Sequence, residues 1–302
     1  MRRLWLYQAE RFPVIKTAVL VGVFSAASIS VSAHLSGRAL PGLWTFAGVW
    51  VVVIIIFFQM RACDEYKDLA EDTRYRPERP IPSGLVSLRL ILGLAGAGGA
   101  LALIVAGSIH HPLIGVLLLV WLWLGLMTFE FFVPEWLKAR PALYLTSHMV
   151  IMPLITLFVT AAEWLPHGWQ VPDGLWLFLA LSFINGCVLE IGRKVWAPAS
   201  EREGVETYSS LLGPRRAALL WAASCALAWA LLIAVGSALG VPYLVGGGGL
   251  VVLLIIARAV AGFVRNPSVK GQKFIEKLSG VWVLICYGLA GLAPLIVAGA
   301  GS

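Results

Sequence analysis

Residues 64–84, DEYKDLAEDTRYRPERPIPSG, concentrate the side chains that can do chemistry. Ten of the sixteen residues from Asp64 to Arg79 are charged, in a chain whose charged fraction is 13%. On a continuous helix Asp64, Asp68 and Asp72 fall at i, i+4 and i+8, one turn apart on nearly one face. Like charges so placed repel by about 0.2–0.5 kcal/mol per pair, so the ladder needs a compensating cation. Lys67 offsets part of it, as it would on a plain solvated helix. Mg²⁺ offsets it better: it takes one or two carboxylates, keeps waters and completes its shell with substrate phosphate oxygens. Arg74, Arg76 and Arg79 come next, and guanidiniums grip phosphate in bidentate fashion. Pro80 and Pro82 stop any helix and hold the backbone extended. Metal carboxylates and phosphate-gripping arginines beside an apolar run suggest a substrate with a diphosphate head and a lipid tail.

The elements that must hold these residues are membrane helices. Hydrophobic residues make up 59% of the 302 residues and mean hydropathy is +0.85, whereas globular chains are about 45–50% apolar. Nine apolar runs, near 14–33, 43–61, 85–107, 112–132, 142–162, 173–191, 215–236, 240–261 and 279–299, are each long enough to cross a ~30 Å hydrocarbon layer. The expected fold is therefore all-α, a polytopic membrane protein of nine transmembrane helices forming a single domain over 1–302. Polar loops come after spans 2 and 6, which suggests two pseudo-repeated four-helix halves plus a ninth helix, with a cytoplasmic cap of polar loops. Of the 23 Lys and Arg, all but Arg38 fall on one side of this arrangement. The positive-inside rule then puts the N-terminus in the cytoplasm and the C-terminus outside, in a bacterial-type cell membrane.

The net charge of +7 reads as topology and contact with anionic lipid, not as nucleic-acid binding. The first span is too long for the 7–15-residue apolar core of a cleaved signal. Cys63, Cys187, Cys225 and Cys286 lack C-x-x-C spacing and read as buried apolar residues. Phosphate-loop, dinucleotide, G-x-S-x-G and H-E-x-x-H patterns are absent. Glycines in GLAGAGGA and GGGG point to close helix packing.

The ladder followed by RPERPIPSG resembles the first signature of the UbiA superfamily of intramembrane prenyltransferases, an N-D-x-x-D-x-x-x-D run leading into R-P-x-R-P-I-P-S-G. Aligned on the prolines, Asp64 stands at the family's Asn, Glu65 at its first Asp, and Asp68 and Asp72 at the later two. The resemblance implies that Asp64, Glu65, Asp68 and Asp72 hold Mg²⁺ and that Arg74, Arg76 and Arg79 bind diphosphate. The family's second motif, D-x-x-x-D before G-x-x-T-L-P, matches LEIGRKVWAPASEREGVETYSSLLG only in its later part. Glu190 stands in for the first aspartate, with Glu201 and Glu203 as further metal candidates. Arg193 and Lys194 are candidate diphosphate contacts: either a fixed cation such as Lys194 neutralises phosphate where the family would use a second metal, or Glu190 with Glu201 or Glu203 still holds one. Lys138 and Arg140 in VPEWLKARPALYLTSH match a basic pair the family places there, or serve as membrane anchors. Ser147 and His148 are polar groups inside span 5, His148 reading as a neutral hydrogen-bonded helix contact.

By this resemblance the chain is expected to catalyse Mg²⁺-dependent transfer of a polyprenyl group from its diphosphate to an aromatic or other lipid-soluble acceptor. Asp64, Asp68, Asp72 and Glu190 are then the catalytic residues. Trp121, Trp123, Phe129, Phe131 and Trp176 are candidates to stabilise an allylic cation. Two other readings stay open: a terpene cyclase on the same scaffold, needing no acceptor, and a non-enzymatic transporter or lipid-binding protein.

Overall fold

The computed structural model describes residues 2–300, and every regular element among them is helical. In hydrocarbon an unpaired backbone N–H or C=O costs several kcal/mol, and a helix pairs all of them internally. In chain order, α1 (Arg2–Arg11) precedes α2 (Val14–Leu35) and α3 (Leu43–Lys67), and the short α4 (Leu69–Tyr75) comes after them. Next come α5 (Leu88–Ile109), α6 (Leu113–Thr128), α7 (Pro134–Lys138), α8 (Pro141–Met149) and α9 (Ile151–Trp164). The rest are α10 (Leu175–Arg193), α11 (Tyr208–Leu212), α12 (Pro214–Ala238), α13 (Pro242–Arg265) and α14 (Val269–Ala300). Pro134, Pro141, Pro214 and Pro242 each open a helix, where the missing N–H costs nothing.

Eight helical segments among the described residues have the length and composition to cross a membrane, with α8 and α9 counting as one. The expected fourth span is instead the apolar 16-residue α6, about 24 Å long at 1.5 Å per residue. It stops because Glu130, Phe131 and Phe132 turn left-handed, with φ of 49°, 52° and 61°. The nine expected spans thus become eight of spanning length and one shorter helix. The stretch between the expected spans at 240–261 and 279–299 is mostly helix too: α13 runs to Arg265 and α14 begins at Val269. Lys270, Lys273 and Lys277 are good helix formers, so α14 starts ahead of its apolar stretch.

The helices pair in the same sequence twice. In the first half α2 packs on α3, α3 on α5 and α5 on α6; in the second, α9 packs on α10, α10 on α12 and α12 on α13. The halves meet through α9, which touches α2, α3 and α6, and α14 closes the bundle against α2, α10 and α13. Small residues allow a close crossing: a Cβ on Gly291 of α14 would lie 2.5 Å from Ala27 Cα of α2. Ser30 Oγ donates to Gly291 O there at 2.8 Å. This arrangement brings the C-terminal ends of α3 and α10, the carriers of the two polar motifs, to the same end of the bundle.

Candidate active site

The carboxylate ladder is built on two helices. Asp68 breaks the run between α3 and α4 (φ −88°, ψ 2°), yet the Asp68 and Asp72 amides still donate to the carbonyls of Asp64 and Asp68 at 2.9 and 2.8 Å. One-turn spacing survives, but the side chains enter different surroundings. Asp64 is half-exposed and faces Arg61 at 3.4 Å. Asp68 makes no ion pair among the described residues; burial, then the charges of Asp64, Asp72 and Glu71, push its carboxyl up to about 6 against the pull of Lys67.

Asp72 is buried, with Arg79 Nη1 at 2.6 Å, Arg76 Nε at 3.0 Å and Arg11 Nη2 at 4.0 Å. Glu65 is buried as well and accepts from Arg11 Nε at 2.6 Å. Two of the arginines expected to grip diphosphate are therefore occupied by the ladder's own third rung. Arg74 lies over the Tyr75 ring, 5.1 Å from its centroid.

At the end of α10, Glu190 pairs with Arg193 and, at 3.0 Å, with Lys194. Arg193 and Glu190 both lie within electrostatic reach of Asp64, so the two polar motifs face each other. Glu201 accepts from Thr207 Oγ1 at 2.8 Å, and Thr207 in turn caps α11; Glu201 braces its loop. Glu203 is exposed. Lys138 stands 3.6 Å from Glu71. Arg140 lies over the Trp136 ring at 4.4 Å and donates to the Trp136 carbonyl. The loops themselves touch: the Tyr75 ring lies against Gly204, and Arg202 is 3.9 Å from Glu78.

A second polar group borders the ladder, one that motif spacing does not reveal. Lys67 Nζ lies 2.6 Å from Glu130 Oε1 and donates to Tyr144 Oη at 2.5 Å, and Tyr144 donates to Glu130 at 3.2 Å. Together with Tyr66, Thr128 and Phe129, Lys67 and Glu130 line an open cleft of about 680 Å³ beside α4. Phe131 meets Trp123 edge to face at 5.3 Å and His148 at 6.1 Å. Trp121 donates to Gln59, whereas Phe129 and Trp176 are exposed. Tyr208 also faces the polar end; burial and then Glu190 raise its phenol well above the ordinary range. The signal for Glu130 was present, since a lone carboxylate in an apolar run marks a functional position. Arg11 gave none beyond topology.

Among the described residues no three His, Cys, Asp or Glu side chains stand close enough together to cage a metal. The available pair, Asp64 and Asp68, supplies hard oxygen donors in the number Mg²⁺ commonly takes from a protein.

The UbiA prenyltransferase family model matches residues 19–284, which include both polar motifs. The chain belongs to that family. A UbiA homolog from Aeropyrum pernix K1, solved in its apo form, superposes with a TM-score of 0.69 at 20% identity, covering 92% of this chain and 98% of that one. A digeranylgeranylglyceryl phosphate synthase structure gives 0.62 at 15% identity, covering 97% and 100%. A UbiA homolog from Archaeoglobus fulgidus bound to GPP and Mg²⁺ gives 0.57 at 15% identity, covering 93% and 98%. No curated protein matches in sequence. The UbiA fold is shared along nearly the whole chain; in this member Glu65 is held by Arg11, and Glu190 by two cations of its own helix end.

Proposed function

We propose that this UbiA-family protein transfers a prenyl group from its diphosphate to an acceptor inside the membrane, with Mg²⁺ held by Asp64 and Asp68. The observation that carries the reading is the juxtaposition of a half-exposed Asp64 with Arg193 and Glu190 across the bundle end, in a family one of whose members was solved with GPP and Mg²⁺. Bound Mg²⁺ would supply positive charge to the diphosphate as it departs. Arg61, Arg193 and Lys194 add fixed cations around the same place, acting where negative charge develops. Lys194 and Arg193 already balance Glu190, which supports a site that needs fewer metals than two full aspartate motifs would bind. The apolar bundle below excludes water that would otherwise capture an allylic cation. Asp72, Glu65 and Glu201 hold the loops in place, and Arg76 and Arg79 act through Asp72.

The positive-inside bias supports a cytoplasmic position for this end of the bundle and for the N-terminus. Labelling of single cysteines introduced at Ser83 and at Asp173 in intact cells tests that orientation, with Asp173 expected to react from outside.

The activity is tested with purified protein, labelled prenyl diphosphates of several lengths, Mg²⁺ and an acceptor panel. Donor consumption that vanishes with EDTA and in Asp64→Asn and Asp68→Asn is the expected result. Full turnover in both variants sinks the metal assignment, and a rearranged product without acceptor moves the reading to cyclisation.

A further inference from the structure

His148 sits on the last turn of α8 and is 8% exposed. Its Nδ1 lies 2.9 Å from the Tyr144 carbonyl oxygen and 3.3 Å from Ser147 Oγ. A carbonyl only accepts, so Nδ1 carries the proton and Nε2 presents a bare lone pair. Nε2 is buried and has no hydrogen-bond partner among the described residues. The ring cannot turn to correct this without giving up the Tyr144 bond. It is stacked on Tyr144 at 4.0 Å and 13°, and Phe131 packs against it edge to face at 6.1 Å. Trp123 steadies the same turn by donating to Ser147 O at 3.0 Å. A histidine kept only to bond its helix uses Nδ1; the fixed, unsatisfied Nε2 is surplus to that role, and buried polar atoms are rarely left without a partner.

Charges reach His148 from three other segments, Lys67 of α3, Glu130 of the left-handed turn and Glu190 of α10, with the Tyr144 phenol on its own helix. Lys67 and Glu190 are also neighbours of Asp64. His148 therefore shares two charged neighbours with the end where the diphosphate would be held.

We propose that His148 is the catalytic base that receives the acceptor's proton, and that the acceptor presents a hydroxyl to Nε2; this rests on the transferase reading above. A neutral Nε2 selects a hydrogen-bond donor, which an O–H provides and a bare C–H does not. In the step, the C1–O bond of the prenyl diphosphate breaks and its electron pair leaves with the diphosphate. An acceptor oxygen lone pair forms the new bond to C1. The O–H pair stays on oxygen while its proton passes to Nε2. The resulting imidazolium, flanked by Glu130 and Glu190, later returns the proton to solvent or the departing diphosphate.

The test uses the full chain in nanodiscs. Nitrogen-15 spectra of labelled histidine, assigned by loss of the signal in His148→Asn, report the tautomer; 1-naphthol and farnesol are then added as hydroxyl probes. The Nδ1–H form with an Nε2 resonance that moves on addition of either probe is expected. An Nε2–H tautomer, or no movement with either, overturns the proposal. In parallel, wild type, His148→Asn and His148→Ala are given geranyl diphosphate, Mg²⁺ and the same probes. Asn keeps a donor for the Tyr144 carbonyl but offers no base, so transfer is expected to fall about a hundredfold or more, with geranyl diphosphate affinity within threefold of wild type. Transfer by His148→Asn at the wild-type rate overturns the base alone. Failure of wild type to consume or bind donor overturns the transferase reading, and this proposal with it.

Discussion

Asp72 Oδ2 stands 2.6 Å from Arg79 Nη1, and the Asp72 carboxylate is 2% exposed. The third rung of the ladder and the arginines beyond it thus neutralise each other, folding residues 68–79 back on themselves. Removing one partner of a buried pair costs about 3–5 kcal/mol, because the other charge is left uncompensated. Asp72→Asn is accordingly expected to lower the thermal unfolding midpoint in detergent markedly. Asp64→Asn, at a half-exposed position, should leave the midpoint near that of wild type while abolishing Mg²⁺-dependent turnover. The reverse ranking of the two midpoints would refute this division of labour.

Asp68 offers a pH signature. Burial and Asp64 raise its carboxyl to about 6, above the ~3.9 of an unfolded aspartate. The folded state therefore binds this proton more tightly than the unfolded chain does. The contribution to stability is fully present below about pH 4, declines as pH rises towards 6, and is gone above that. Mg²⁺ binding runs the other way, since it needs the carboxylate. Calorimetric Mg²⁺ affinity at pH 5 should be about tenfold weaker than at pH 7.5. Asp68→Asn should flatten the difference; an equally steep profile in that variant would assign it to another group.

Much of this was legible from residues. The apolar runs predicted helices because length alone separates a membrane helix from a strand, and the ladder with RPERPIPSG carried the family. The boundaries at α6 and α14 were not legible, because hydropathy does not register a left-handed turn at Glu130 or a charged helical extension at Lys270. Nor did spacing reveal which carboxylates stay available. Asp64 and Asp72 share one side of a helical wheel, yet Arg76 and Arg79 reach only one of them, and Arg11, fifty-four residues from Glu65, claims another. Such pairings depend on tertiary contacts that a periodic pattern does not contain.

Gly204 joins the two polar loops. Its φ is +73°, and a Cβ there would lie 2.6 Å from the Tyr75 ring. Gly204→Ala thus combines a left-handed backbone penalty of about 1–2 kcal/mol with a clash that pushes α4 away from the second loop. Turnover should fall more than stability, since the loops set the spacing of Asp68 and Arg193. Tyr75→Ala in the same chain removes the clash and leaves only the backbone cost. The double variant is therefore expected to be more active than Gly204→Ala alone. Additive losses in the activity cycle would show that the ring and the glycine are not coupled.

Arg38 is the single cation that the charge pattern leaves on the far side, and its position is explained by Glu163. That carboxylate is fully buried in α9, accepts from Arg38 Nε at 2.7 Å and Ser32 Oγ at 2.6 Å, and has His167 Nδ1 at 3.8 Å. The pair ties the α2–α3 turn to the C-terminal end of α9, where the two halves meet. Arg38→Ala leaves Glu163 buried without its guanidinium and should cost about 3–5 kcal/mol. Replacing both, as Arg38→Met with Glu163→Leu, removes the charges together and should recover most of that loss. Because the pair lies at the opposite end from Asp64, donor affinity should stay at the wild-type value in every variant that folds. Unfolding midpoints in detergent, read beside geranyl diphosphate titrations, separate the two effects: an Arg38→Ala protein as stable as wild type, or a double variant no better than the single, would show that the ion pair does not hold the halves together.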